Sequence, residues 1–443
     1  MEKTIVTVDS CVIGSSISGL WIALELAKKG QKVLLVDKTP IGSIKNSIDV
    51  CLNYVCDKKL YKQSLQAQKK WLSLNKIFGT ELNTELRGSI SFALNKNEMN
   101  NLEEILNLQK DYNEDLGSFT IKDRAGIKAL MKSSDIGDAV QGALVSVEDI
   151  SLDHQSCINL LRREIIQKGV KYWGDDEVVN FTVEEDTIKY IETKEEKIEA
   201  KNVILATGAN SAELLKKLHL PLPVRPSRAH IIEYTSKAQL PKQIMHYKTK
   251  MGDYICKPML NGRNLLIYTG IDDQMQATWS KKINEQTVVS SFLEMIRILP
   301  VLSYIDIQET NINHIAITPD RLPYFGKTKL YKNLFMNIGY CGSKYLFVPM
   351  FAEKLADLIT NNKSDEDMKF LTPDRVIPED YTINYADVNN HEEEIAVDEQ
   401  TETQEETTEE TTEENLTQNN ITNTEEEIQE SPSENKNEAE ETI

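Results

Sequence analysis

The amino-terminal segment contains two glycines and an aspartate whose types and spacing suit the binding of a dinucleotide. Gly14 and Gly19 bound a six-residue turn, and Asp37 follows Gly14 by 23 residues. The first glycine of such a turn makes the bend, the last lets a helix pack closely on a strand, and the acid accepts hydrogen bonds from ribose hydroxyls. Ser16 stands where the pattern has its middle glycine, so its Cβ would crowd the phosphates while its hydroxyl could donate to them. The spacing favours a nucleotide site over a strand–turn–helix unit that only packs.

A strand, a helix and a second strand must position these residues. Val12 and Ile13 end a buried strand, and apolar residues then recur at helical spacing between positions 20 and 27. Gly30 ends the predicted helix, and a second apolar strand covers positions 33–36. The free N–H groups and the positive dipole end of this helix would then face the phosphates.

The net charge of the chain is concentrated at its carboxyl-terminal end. The 443 residues carry a formal net charge of −20, and residues 391–443 contain 20 acidic residues and one basic residue. The first 390 residues therefore have a net charge of −1, and nucleic acid is a poor candidate partner because no basic stripe is present. Residues 387–443 are rich in Glu, Thr, Asn and Gln and are predicted to form a disordered acidic tail.

The cysteine content and the hydrophobic pattern favour a cytoplasmic protein. Six cysteines in 443 residues do not form a disulfide framework, which is typical of a reducing compartment. We identify no signal peptide and no apolar run of transmembrane length, so no integral membrane segment is expected. No metal site is predicted.

A second strand approaches the predicted nucleotide site. The buried run from Asn202 ends in Ala206-Thr207-Gly208, which suits a second close approach of backbone to a dinucleotide, or else an ordinary strand-to-helix turn. Periodicity predicts the remaining elements as follows: helices over 60–78, 102–112, 152–168, 288–298 and 351–359; strands over 87–94, 229–234, 253–257, 264–270 and 334–338; and a loop over 315–326.

Four separated stretches resemble the D-amino-acid oxidase family of FAD-dependent oxidoreductases, which includes glycine and sarcosine oxidases. They are the unit from Val12 to Asp37, the segment 203–209, Thr318-Pro-Asp-Arg-Leu-Pro-Tyr-Phe-Gly326, and Gly339-Tyr-Cys-Gly-Ser343. The resemblance covers roughly residues 5 to 380 and includes Pro373-Asp-Arg375.

The resemblance implies an α/β fold with two domains and the acidic tail. A discontinuous Rossmann-like FAD-binding domain would comprise residues 1–85, 145–220 and 315–386. A mixed-sheet substrate domain would comprise residues 86–144 and 221–314. The tail would comprise residues 387–443.

The resemblance also implies which residues bind FAD. The implied cofactor-binding residues are Gly14, Ser16, Gly19, Asp37, Lys38, Ser43, Asn46, Val178, Thr207, Gly208, Asp320, Gly339, Gly342 and Ser343. The cysteine that attaches FAD in some members aligns with Asn313, so non-covalent binding is expected. Bound FAD would accept a hydride at N5 from a C–H next to nitrogen or oxygen.

The chain departs from the family at the residues that bind the substrate carboxylate. The arginine of glycine-oxidase-like members is replaced by Ile315. The basic residues of sarcosine-oxidase-like members fall near Asp49 and Leu52 and at Leu346. Lys344 stands where the last loop usually has a glycine.

Three residues are candidates for catalysis or substrate binding in place of these missing carboxylate-binding residues. Lys344 is the best substitute cation, Tyr254 matches a substrate-side tyrosine of glycine-oxidase-like members, and His230 lies on a strand that would cross the flavin. Core polar groups remain an alternative for Tyr254 and His230. Arg321 is a further cation, for which a surface charge is the alternative.

The expected function is FAD-dependent oxidation of an amine or an amino-acid-like small molecule. Two alternatives remain open. One is a flavin-binding protein without turnover, which the absence of the family's carboxylate-binding residues would permit. The other is a dehydrogenase on another small substrate that passes electrons to a quinone or to an acceptor protein.

Overall fold

Helices and strands alternate along the chain and build three sheets. The computed structural model describes residues 4–53, 57–112, 119–131, 135–220, 222–259, 262–270 and 278–377. The helices within these ranges are α1 (Ile17–Lys28), α2 (Tyr61–Phe78), α3 (Lys96–Tyr112), α4 (Arg124–Met131), α5 (His154–Gln167), α6 (Ser211–Lys217), α7 (Glu285–Ile296) and α8 (Lys344–Asn361). The strands are β1 (Ile5–Ile13), β2 (Val33–Asp37), β3 (Val50–Cys51), β4 (Thr84–Leu86), β5 (Ser89–Ala93), β6 (Phe119–Asp123), β7 (Gly142–Ser146), β8 (Ile150–Leu152), β9 (Lys171–Gly174), β10 (Val178–Glu184), β11 (Thr187–Thr193), β12 (Lys197–Leu205), β13 (Arg225–Ser236), β14 (Ile244–Lys248), β15 (Gly252–Pro258), β16 (Asn264–Gly270), β17 (Ile305–Ile317), β18 (Tyr324–Lys327) and β19 (Leu334–Ile338).

The first sheet contains the predicted dinucleotide-binding unit. Its strand order is β10-β11-β12-β1-β2-β9, with β19 beside the end of β12 and β18 beside β19. Strands β9, β2, β1, β12 and β19 are parallel, as expected for strands connected by crossovers. Helices α1, α2, α5 and α8 contribute to the core on one face, and α6 contributes to the core on the other. The predicted α/β fold with a parallel FAD-type sheet is confirmed.

The second sheet takes its strands from two separate stretches of the chain. Its order is β17-β13-β16-β15-β14-β5-β7-β6, and only the pair β14–β5 is parallel. Helices α4 and α7 cover one face, while α3 and positions 48–52 cover the other. We call the second of these the inner face; it includes Ile231, Ile255 and Ile267. A small third sheet has the strand order β3-β8-β4, and both of its strand pairs are antiparallel. The domain boundaries given above stay a prediction.

Several elements differ from the sequence-based prediction. Helix α3 begins at Lys96 instead of position 102, and α8 begins at Lys344 instead of position 351. The predicted loop 315–326 contains the end of β17 and the start of β18. Strand β17 has few apolar residues in alternation. It forms because it pairs along its whole length with β13: Ile317 lies opposite Arg225, and Ile305 lies opposite Ser236. The predicted tail lies outside the described residues. No helix of the described ranges is long and apolar enough to cross a membrane.

Helix α8 continues through a proline because a tryptophan supplies the missing donor. Pro349 has no N–H, so it cannot bond the carbonyl of Tyr345 four residues earlier. The indole Nε1 of Trp71 donates to Tyr345 O at 2.7 Å and lies 3.2 Å from Leu346 O. Trp71 is fully buried and packs edge-on against Trp21, with ring centroids 6.0 Å apart.

We predict that Trp71→Phe lowers the free energy of unfolding by about 1–3 kcal/mol beyond the loss of packing, because it leaves a buried carbonyl without a donor. The matched test is a double-mutant cycle with Pro349→Ala, which restores the backbone donor. Trp71→Phe should cost less in the Pro349→Ala background. Equal costs in the two backgrounds, measured by urea unfolding, would show that the indole hydrogen bond does not replace the proline's missing N–H.

Candidate functional site

The turn after β1 requires its first glycine because β12 ends against it. Ala206 N donates to Ile13 O at 2.9 Å, and Gly14 N donates to Val36 O at 2.8 Å. Gly14 has a φ of 103°, in the region that favours glycine, and a Cβ there would lie 2.8 Å from Ala206 O. The ends of β1, β2 and β12 therefore meet at this turn.

The second glycine of the turn allows α1 to approach β1. A Cβ on Gly19 would lie 1.7 Å from Gly14 O, so any side chain at this position would overlap with that oxygen. Ser16 occupies the N-cap position with extended backbone, and its side chain does not cap the helix. The first turn of α1 contains no acidic residue, so its positive end faces the turn without an internal counter-charge.

The acid and the lysine that follow β2 lie beside this turn. The carboxylate of Asp37 accepts a hydrogen bond from Ser15 N at 2.5 Å and two from Thr39, at 2.9 Å and 3.0 Å. Lys38 Nζ lies 3.4 Å from Asn210 Oδ1, across the mouth of the turn. The structure thus brings the predicted residues near β1 and β2 together.

The end of β12 completes the rim of this turn. Thr207 Oγ1 lies 2.8 Å from Ser211 Oγ, and Gly208 has a φ of 57° with open space where a Cβ would stand. Val178 is buried at the start of β10.

The loop after Asp37 extends to the second sheet. Ser43 Oγ donates to Pro40 O at 2.6 Å, which closes a local turn. Asn46 contacts two strands of the second sheet: its Nδ2 lies 3.5 Å from Glu233 Oε2, and its carbonyl accepts from Asn313 Nδ2 at 2.5 Å. This loop therefore joins the dinucleotide turn to the inner face.

A second glycine-containing loop, residues 339–343, follows β19 and touches the end of β17. Gly339 has a φ of 82°, and a Cβ there would lie 2.5 Å from Thr318 Cγ2. Cys341 N donates to Ala316 O at 3.1 Å, and the space beside Gly342 is bounded by Ile315 Cδ1 at 4.0 Å. Because β19 is parallel to β12 and β1, this loop lies at the same edge of the first sheet as the dinucleotide turn.

The predicted cofactor residue Asp320 forms an ion pair within the fold. Arg375 donates from Nε to Asp320 Oδ2 at 2.7 Å and from Nη2 to Oδ1 at 2.9 Å. The same guanidinium bonds the carbonyls of Leu322 and Pro323 and stacks over Tyr324. Both oxygens of Asp320 accept from Arg375, which favours a role within the fold, and its assignment to FAD stays a prediction.

Lys344 is the first residue of α8, whereas the sequence placed it in the preceding loop. Burial lowers the pKa of its ammonium to about 8, although the residue as a whole is partly exposed. No carboxylate among the described residues pairs with this ammonium, which lies 5.9 Å from the ring centre of Tyr345. Its charge also acts on His154, whose pKa is lowered mainly by burial. His154 Nδ1 contacts the Tyr345 hydroxyl.

Tyr254 and His230 lie on the face of the second sheet opposite to the inner face. The rings of Tyr254, Tyr268 and His230 form a row across β15, β16 and β13, with centroid separations of 4.9 Å and 5.9 Å. Tyr254 belongs to the core that Phe292 of α7 covers. This position favours the alternative of core polar groups, and the catalytic roles of Tyr254 and His230 stay a prediction.

Sequence reasoning missed two polar groups on the inner face. Lys257 Nζ lies 2.7 Å from Asp49 Oδ2, and both side chains are almost fully buried. His246 lies between Ser91, at 2.8 Å, and Asp253, at 3.6 Å. The alternation within β15 places residues 253, 255 and 257 on one face, but the sequence does not show which face meets the cofactor.

We predict that Gly19→Ala abolishes most FAD binding, because its Cβ would push α1 away from the turn. Gly169→Ala is the matched control, since Gly169 has a φ of 76° and open space around a Cβ. The control should lose about 1–2 kcal/mol of stability from backbone strain and keep its flavin. The measurement is the flavin-to-protein absorbance ratio with urea unfolding. Full flavin content in Gly19→Ala would contradict the close approach.

Comparison with known proteins agrees with this architecture. The chain is 24% identical to a D-amino acid dehydrogenase of Helicobacter pylori over 263 residues, which cover 57% of this chain and 59% of that protein. It is 23% identical to a monomeric sarcosine oxidase of a Bacillus species over 393 residues, covering 83% of this chain and 96% of the oxidase. The chain thus spans little more than half the length of the dehydrogenase.

Solved structures and a family model give the same result for the fold. The structure of glycine oxidase from Bacillus cereus superposes with a TM-score of 0.71 at 19% identity, covering 84% of this chain and all of the oxidase. The model of the family described as "DAO: FAD dependent oxidoreductase" matches residues 9–358. The chain therefore belongs to this family of FAD-dependent oxidoreductases.

Proposed function

We propose that the protein oxidises an amine or amino-acid-like substrate at a C–H bond next to nitrogen. The proposal rests on the position of loop 339–343, which lies at the edge of the first sheet and touches the end of β17 at the backbone of Ala316 and at Ile315, which packs on the inner face of the second sheet. A small molecule enclosed there would lie between a cofactor loop and an apolar sheet. Such an enclosure excludes water from the reacting bond.

The described residues fit FAD. The turn at Gly14 and Gly19 has room for backbone only, and the positive end of α1 suits a pyrophosphate. Asp37 stands beside the turn, where its carboxylate could accept from ribose hydroxyls as well. Backbone N–H groups of loop 339–343 would donate to the ring system. When bound, FAD supplies the hydride acceptor at N5.

The experiment that tests the proposal is anaerobic mixing of the purified flavoprotein with a panel of amines and amino acids, followed by flavin absorbance. Bleaching of the oxidised flavin band by at least one panel member is expected. An unchanged spectrum with every member would favour the alternative of a flavin-binding protein without turnover.

We predict that FAD is bound without a covalent bond. The side-chain amide of Asn313 is engaged with Asn46 O, and burial raises the pKa of the Cys341 thiol, which contacts Thr318. Both features disfavour attachment. Acid precipitation should release all flavin into the supernatant. Colour that remains with the precipitate would identify a covalent link, with Cys341 as the first position to test.

We also predict that Lys344 neutralises a substrate carboxylate. Lys344→Met should slow single-turnover flavin reduction by carboxylate-bearing amines at least about tenfold and leave neutral amines unchanged, because a buried carboxylate needs a counter-charge. Since burial lowers the pKa of Lys344 to about 8, the ammonium is lost as pH rises through that value. The affinity for carboxylate substrates should therefore fall between pH 7 and pH 9.

Lys363→Met is the matched control, because Lys363 is an exposed residue that follows the other end of α8. This variant should leave the rate of flavin reduction unchanged for both carboxylate-bearing and neutral amines. Equal rates for Lys344→Met and the parent on every reducing substrate would remove Lys344 from the site while leaving the proposed reaction intact.

A further inference from the structure

The imidazole of His154 lies between the two loops that contain most of the predicted FAD-binding residues beyond the first turn. One is the segment that follows Asp37, which we call loop 38–47. The other is loop 339–343, which leads directly into α8. His154 is the first residue of α5, and only 7% of it is exposed. Its ring is therefore surrounded mainly by protein groups.

Each nitrogen of the imidazole contacts a different one of these segments. His154 Nε2 lies 3.0 Å from the carbonyl oxygen of Ile44, in loop 38–47. His154 Nδ1 contacts the hydroxyl of Tyr345, which stands in the first turn of α8 directly after loop 339–343. The two rings meet nearly edge-on, with centroids 5.9 Å apart. One side chain thus connects two segments that are distant in sequence.

The start of α5 holds loop 38–47 through its other polar groups as well. Gln155 Nε2 donates to Ile44 O at 2.7 Å and to Lys45 O at 2.9 Å. The backbone of His154 is fixed in turn, because its N–H donates to Asp49 Oδ2 at 3.0 Å. The imidazole is therefore attached to a rigid helix end, from which it can set the position of both segments.

The hydrogen-bond pattern requires a neutral imidazole that carries its proton on Nε2. The carbonyl of Ile44 can only accept, so His154 Nε2 must donate to it. Burial raises the pKa of the Tyr345 hydroxyl, which therefore keeps its proton and can donate to Nδ1. A second proton on Nδ1 would face that hydroxyl proton and would place a positive charge in a buried site. Protonation of His154 therefore weakens the connection.

The charged groups around the ring act in both directions. Burial is the largest effect, and it lowers the pKa of His154. The carboxylates of Asp49 and Asp153 raise this pKa, whereas the ammonium of Lys344 on α8 lowers it. Asp49 is itself paired with Lys257 Nζ at 2.7 Å, which offsets part of its charge. The net result is a pKa below the ordinary value of histidine, in agreement with the neutral form that the contacts require.

We propose that neutral His154 is a positioning residue for FAD, which holds loop 38–47 and loop 339–343 at the separation that cofactor binding requires. FAD binding then depends on the protonation state of this imidazole. The inference concerns the cofactor alone, so it is independent of the substrate and the reaction proposed above.

The sign of the pH dependence follows from the two states of the ring. When the loops separate, the imidazole regains contact with water and its ordinary pKa of about 6.5. The pKa is lower while the loops are joined, so protons favour the separated state. The affinity for FAD should therefore be constant above about pH 6.5 and should fall below it, by at most about tenfold per pH unit.

The experiment measures the Kd of FAD and requires no turnover. The purified flavoprotein is equilibrated at a series of pH values from about 7.5 to about 5, and ultrafiltration separates free FAD from bound FAD. His154→Gln keeps a neutral donor toward Ile44 O and cannot gain a proton. Its Kd at about pH 7.5 should stay within about threefold of the parent value, and the fall in affinity below about pH 6.5 should be smaller than in the parent.

Two further variants separate the contacts, and a third is the control. His154→Leu removes both polar contacts and should raise Kd at least about tenfold at pH 7.5. Tyr345→Phe should raise Kd less, and it should add little in the His154→Leu background because the contact is already lost. His219→Gln is the matched control, since His219 is an exposed histidine that follows α6. It should show the pH profile of the parent.

Two results would overturn the inference. One is a His154→Gln variant whose Kd depends on pH as that of the parent does. The other is a folded His154→Leu variant that binds FAD like the parent at pH 7.5, even if its Tm is lower, because this would show a purely structural role. If His154→Leu does not fold, the pH profile of His154→Gln decides. Failure of amines to reduce the flavin would leave the inference intact.

Discussion

The contact between α1 and β1 at Gly19 determines where the cofactor-binding edge of the first sheet lies. A Cβ on Gly19 would lie only 1.7 Å from Gly14 O, so the helix can approach the strand this closely only with glycine at this position. That contact directs the positive end of α1 at the turn. The parallel pairs β2–β1, β1–β12 and β12–β19 then bring Asp37, Gly208 and loop 339–343 to the same edge.

A buried ion pair connects strand β15 of the second sheet to the segment around Asp49, which follows β2 of the first sheet. Lys257 of β15 bonds Asp49 at 2.7 Å, and Asp49 also accepts from His154 N at 3.0 Å while Lys257 donates to Leu152 O. Desolvation offsets much of the attraction within such a pair, so its net stabilisation is small. Loss of either partner would leave a buried charge, and the pair therefore disfavours every other alignment of β15 with the segment around Asp49.

Local patterns in the sequence predict the first part of the fold well and the second part poorly. The unit from β1 to β2 has its periodicity, its turn and its acid within 37 residues, so local information suffices. Helix α8 begins earlier than predicted because a proline such as Pro349 normally ends a helix, and the local sequence therefore predicts a break there. The donor that compensates for the missing N–H, Trp71, lies on α2 and is distant in sequence. The same limit applies to Tyr254: alternation shows that it shares a face with Cys256, but the face that meets the cofactor depends on long-range packing.

The family motif around Thr318 shows how conformational and chemical roles separate along one loop. Asp320 is held by Arg375 through two hydrogen bonds, so this part of the motif maintains the fold of the loop. The adjacent Arg321 is exposed on a backbone that this ion pair and the Thr318–Cys341 contacts keep in place. A rigid loop of this kind can carry different exposed side chains without changing the cofactor site. Differences in substrate within one fold can therefore arise at positions such as 315, 321 and 344, which border the motif residues.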